Sequence, residues 1–119
     1  MAGIPLEPFP RQTLVANSGA AVSYFSETYD LRDYRSVAWW IRTHASLPAT
    51  VNDPVRMYLQ ASNDEQGPWV DLIAGGEAPL IGNTSTGAVQ MNGRYLRTRV
   101  DISADEVATF EIRLVAREK

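Results

Sequence analysis

The chain contains no cysteine. Disulfides, thiolate metal sites and cysteine nucleophiles are therefore excluded, and cysteine usage leaves the redox compartment open. Histidine occurs once, at His44, and lysine once, at Lys119. A lone His with neither a Cys partner nor a paired Ser motif is expected to be a surface residue rather than a catalyst. No apolar run approaches the roughly 18 residues that a membrane-spanning helix needs, and the N-terminus lacks the basic-then-apolar layout of a signal peptide. A soluble product made in the cytoplasm is the expectation, with no membrane partner. Excess positive charge is also missing. The formal net charge of −3 opposes nucleic acid as a partner on bulk electrostatics. Gly75-Gly76 lacks the Lys and Ser/Thr that follow a P-loop, so no phosphate-cradling motif stands out. Nor does any long stretch carry a helical period.

What the chain does have is alternation. In Ser36-Val37-Ala38-Trp39-Trp40-Ile41-Arg42-Thr43, a strand would put Val37, Trp39 and Ile41 on one face and Ala38, Trp40 and Arg42 on the other. Neither face is clearly polar, which suits a central strand; which tryptophan meets the core is open. Residues 55–61 alternate with Val55, Met57, Leu59 and Ala61 inward and Arg56, Tyr58 and Gln60 outward. Residues 107–117 alternate with Ala108, Phe110, Ile112 and Leu114 inward and Thr109, Glu111 and Arg113 outward. Shorter strands are expected over 11–16, 20–27, 68–73, 88–91 and 94–102, with loops over 28–34 and 44–54 and the loosest section over 75–87. Asn92-Gly93 is the strongest hairpin signal, and Ser103-Ala104-Asp105-Glu106 has the spacing of a capping box on one helical turn. The sum is about eight strands: an all-β, antiparallel β-sandwich, either jelly-roll or galactose-binding-like.

Residues 1–10 read as an extended N-terminal arm ahead of a single sandwich domain over 11–119. Pro5, Pro8 and Pro10 block helix and interrupt a ladder, while Ile4, Leu6 and Phe9 need cover from this domain or a neighbour. On this reading, deleting the arm leaves the domain folded.

No catalytic set stands out, and a non-enzymatic protein without cofactors is expected. Asp64 and Glu65 read as solvated turn residues. Asn52, Asp53, Asn63 and Asp64 form the best metal option, a loop calcium site. Asn83-Thr84-Ser85 is a glycosylation sequon, incidental without a signal peptide. The more informative pattern pairs aromatic rings with arginine. Arg56 and Tyr58 on one strand and Tyr95, Arg97 and Arg99 on another stand outward, with Trp40 and Arg42 joining them. Trp, Tyr and Arg dominate interface hot spots, and such rings also stack on sugars. With Ile4, Leu6 and Phe9 of the arm, these residues make up the candidate partner-binding set. The plainer reading has the rings filling the second sheet's inner face and the arginines pairing with Glu111 and other acids.

The run Met57-Tyr58-Leu59-Gln60-Ala61-Ser62-Asn63-Asp64, then Trp69, Gly93-Arg94-Tyr95-Leu96-Arg97 and Phe110-Glu111-Ile112-Arg113-Leu114, resembles the second half of discoidin-like, galactose-binding-type domains. There a strand ends in Ser-x-Asp-Gly, a Trp follows, an Arg-Tyr-hydrophobic-Arg strand comes later and a last strand closes the domain. Here Asp64-Glu65-Gln66-Gly67 stands in place of Asp-Gly. That resemblance implies a carbohydrate-binding module. As a whole the chain also resembles small β-sandwich proteins of tailed-phage structural modules, such as capsid decoration and cement proteins. This second resemblance implies a virion component that binds a major capsid or other virion protein and self-associates.

Overall fold

The alternating runs form strands. A computed structural model describes residues 3–16, 19–47, 55–72 and 84–118. Among them lie β1 (Gly3–Ala16), β2 (Val22–Phe25), β3 (Tyr29–Asp30), β4 (Tyr34–Leu47), β5 (Val55–Ser62), β6 (Val70–Asp71), β7 (Thr84–Gln90), β8 (Tyr95–Ile102) and β9 (Glu106–Glu118), and no helix. Sheet A has the order β1-β9-β4-β7 and sheet B the order β2-β8-β5-β6, with β3 continuing the β2 edge along β8. All pairs are antiparallel. Apart from the β2–β3 step and the β5–β6 hairpin, each connection carries the chain from one sheet to the other. With the two-residue β3 set aside, this interleaving is the double Greek key of a jelly roll.

The core lies between the sheets. Val37, Trp39 and Ile41 of β4 and Ala108, Phe110, Ile112, Leu114 and Ala116 of β9 face Met57 and Leu59 of β5 and Leu96, Val100 and Ile102 of β8. Along β8 every second residue is buried. Trp39 is the core tryptophan, while Trp40 is half-buried on the opposite face of β4. Gly87, across from Trp39 on β7, leaves the room that the indole occupies: a Cβ there would overlap the ring.

Several local expectations change. From Gly3 onward the expected arm is the first half of β1, laddered to β9 from Gly3 opposite Arg117 to Phe9 opposite Ile112. Its prolines are tolerated because β1 is an edge strand and its register shifts on either side of Phe9. Phe9 turns into the core, 5% exposed, with its ring centroid 5.7 Å from that of Phe110. Its cover is its own domain.

Asn92-Gly93 does not close a hairpin, because β7 belongs to sheet A and β8 to sheet B. Gly93 is instead a site of close approach. A Cβ there would lie 2.9 Å from the Ser62 carbonyl oxygen, which accepts the Arg94 N–H at 3.1 Å. The 103–106 segment is a β-turn between the sheets, not a helical turn. The Glu106 N–H donates to the Ser103 carbonyl at 3.2 Å and Asp105 takes a φ of 61°. β4 also runs on through His44 to Leu47, into the stretch expected as loop.

Candidate functional site

The outer face of sheet B is built from the residues that alternate with the core. Register places Tyr58 opposite Arg99 and Gln60 opposite Arg97. The Arg99 guanidinium lies 3.9 Å from the Tyr58 ring centroid and its Nε 3.3 Å from Asp101 Oδ1. Arg97 lies between Phe25 of β2 and Trp69 of the β5–β6 connection, 4.3 Å from each ring centroid. Its Nε–H donates to Gln60 Oε1 at 2.8 Å, and the Gln60 amide donates to Asp71 Oδ1 at 2.9 Å. Gln60 is 5% exposed although it points away from the core. The ring and guanidinium layer covers it, so a buried amide fixes an arginine from beneath. Burial, then the like charge of Arg99, draws the Arg97 guanidinium below its ordinary pKa. Phe25 is 50% exposed, and Val70 beside Trp69 is more open still.

Among the expected residues, Arg56, Tyr58, Tyr95, Arg97 and Arg99 share this face. Trp40 and Arg42 do not join them, because β4 belongs to sheet A and both point outward there. Ile4 is exposed at the sheet A edge, Leu6 packs partly against the core, and Phe9 lies within it. Sequence reasoning missed Phe25, Trp69 and Asp71 as parts of the site. The alternation of Val22, Ser23, Tyr24 and Phe25 was a signal for an outward phenylalanine.

The outer face of sheet A is paired within itself. His44 Nε2 lies 2.8 Å from Glu111 Oε1, with both side chains largely shielded. Arg113 reaches Glu111 at 3.3 Å and Glu7 at 3.7 Å, and lies 5.8 Å from the Trp40 ring centroid. The His44 contact, ahead of the Arg113 charge, holds the Glu111 carboxyl below the usual carboxylate range. Arginine thus pairs with Glu111 on sheet A; on sheet B Arg99 both pairs with Asp101 and stacks on Tyr58, while Arg97 stacks on Phe25 and Trp69.

At one end of the sandwich, Asp30 Oδ2 accepts from Arg32 Nη2 at 2.7 Å and Arg94 Nη2 at 3.0 Å. Beside them an open cleft of about 650 Å³ is lined by Arg32, Tyr34, Arg35, Ser36, Gln90 and Met91. Asp64 and Glu65 are exposed in the β5–β6 turn, where Asp64 Oδ1 accepts the Gln66 N–H at 2.9 Å. Asn52, Asp53 and Asn83 lie outside the described residues. Among the described residues no group of three or more His, Asp or Glu is placed to hold a metal.

No protein-family model and no curated protein matches the chain in sequence. Solved structures do match in shape. The exported protein XepA of PBSX superposes with a TM-score of 0.71 at 12% identity, over 98% of this chain and 37% of XepA. The VP2 subviral particle of infectious bursal disease virus gives 0.54 at 9% identity, over 98% of this chain and 32% of VP2. The CBM22-1–GH10 portion of Clostridium thermocellum xylanase 10B gives 0.53 at 8%, over 92% of this chain and 22% of that one. This chain thus spans well under half the length of each. At these identities the likeness is one of fold: the chain is an all-β sandwich.

Proposed function

We propose that this protein is a non-enzymatic structural component of a virion, of the capsid decoration or cement kind, and that it binds a protein lattice through the outer face of sheet B. The observation that carries the reading is the layer around Arg97. Phe25, Arg97, Gln60 and Trp69 make a preformed surface across the strands, held by stacking and hydrogen bonds before any partner arrives. Ordered aromatic and arginine side chains lose little freedom on binding, and they anchor hot spots for that reason. The fold likeness to a PBSX protein and a viral particle protein is in keeping with it.

A second reading, a carbohydrate-binding module, draws on the same rings and on the likeness to a CBM22-containing chain. Against it, Phe25 and Trp69 each turn toward Arg97, and Tyr58 toward Arg99, so guanidinium occupies ring surface that a sugar would use. The test is co-sedimentation. Particles from the source organism are separated on a density gradient and probed for this chain, then stripped and rebound with purified protein. A fixed ratio to the coat protein and saturable rebinding are expected. A chain found only outside the particles, and unable to rebind, overturns the reading. Saturable hits on a glycan array would put the sugar reading in its place.

A further inference from the structure

On the outer face of sheet B, Arg97 stacks on rings and has no carboxylate partner among the described residues. Asp101 is engaged by Arg99 at 3.3 Å and by the Ser23 hydroxyl at 2.7 Å. Asp71 accepts the Gln60 amide. Among the described residues no carboxylate pairs with Arg97, although its guanidinium is partly desolvated and has Arg99 as a like-charged neighbour. Phe25 and Trp69 approach it from either side of β8, and Nε–H is spent on Gln60. Among the described residues nothing accepts from the two Nη groups at the edge of the guanidinium plane. A planar acceptor with two oxygens fits that edge, and a carboxylate is such an acceptor.

We propose that the Nη end of Arg97 is a carboxylate socket, walled by Phe25 and Trp69 and steadied by buried Gln60, that receives an Asp or Glu side chain of the partner protein. The inference rests on the lattice-binding reading and names the chemistry of its central contact. A phosphate-rich polymer fits less well, since the chain carries a net charge of −3.

An acetylated hexaglutamate peptide, titrated into the 15N-labelled full chain at constant ionic strength, tests the socket. The Arg97 Nε–H and Trp69 indole N–H resonances should shift saturably, and a hexalysine peptide should leave them in place. Arg97→Lys keeps the charge and loses the planar fork, so peptide affinity should fall by about tenfold or more. Phe25→Leu removes one wall at an exposed position, where folding is safe, and should weaken the peptide by a smaller factor. Absent shifts, unchanged affinity in Arg97→Lys, or equally tight binding of inorganic phosphate would each overturn the socket. Stripped particles report separately. Equal binding of wild type and Arg97→Lys overturns the socket and leaves lattice binding standing. Failure of the wild type itself to bind overturns lattice binding, and the peptide titration still decides the socket.

Discussion

Trp39 and Trp40 are neighbours in sequence and opposites in environment, and each can be read energetically. Trp39→Ala should cost about 3–5 kcal/mol, the range for a large core side chain, and Trp40→Ala clearly less. Gly87→Ala should cost about 1–3 kcal/mol, because its methyl must displace the Trp39 ring. Urea denaturation of the three variants checks both statements; equal losses for the two tryptophans would contradict the assignment of faces. Asp30 gives a pH dependence. The Arg32 and then the Arg94 hydrogen bonds hold its carboxyl well below the usual range. Its contribution is therefore complete above about pH 4 and is lost as pH falls through and below that point. Thermal melts from pH 7 down to pH 3 should show wild type losing stability faster than Asp30→Asn. Parallel pH profiles would show that the clamp contributes nothing.

At the scale of elements, β1 carries the largest revision. Three prolines in eight residues read as a break from the ladder, yet an edge strand needs partners on one side only, and Phe9 ties it to the core. Removing residues 1–10 should therefore unfold the chain or cut its stability sharply, contrary to the expectation of a dispensable arm. Circular dichroism melts of the truncated chain decide between the two. β4, β5, β8 and β9 were legible because each has one buried face, and alternation reports burial directly. Asn92-Gly93 misled for a physical reason. The dipeptide favours a tight reversal locally, but sheet membership is decided by the distant partners of β7 and β8. Gly93 answers to the Ser62 backbone, which no neighbour in sequence announces.

At the scale of the whole molecule, the same limit explains how much of the candidate site could be read. Tyr58 and Arg99 were legible as outward residues from the parity of their own strands. The placing of Arg97 between Phe25 and Trp69 required the order β2-β8-β5-β6, which brings together rings from residues 25 and 69. Trp40 and Arg42 have the outward parity but belong to the other sheet. Parity can be counted along a strand; strand order follows from packing of the complete chain.

The interleaving has a mechanical side. β1 and β9 are antiparallel neighbours, so residues 3 and 117 stand opposite each other, one strand spacing of about 5 Å apart. Tension applied between these two points pulls across the ladder, so its hydrogen bonds open one after another like a zip instead of sharing the load in shear. The outer face of sheet B has no such weak direction through β1, which belongs to the other sheet. A lattice gripping the Arg97 layer would load sheet B and leave the β1–β9 seam, in the other sheet, outside the direct path of the strain.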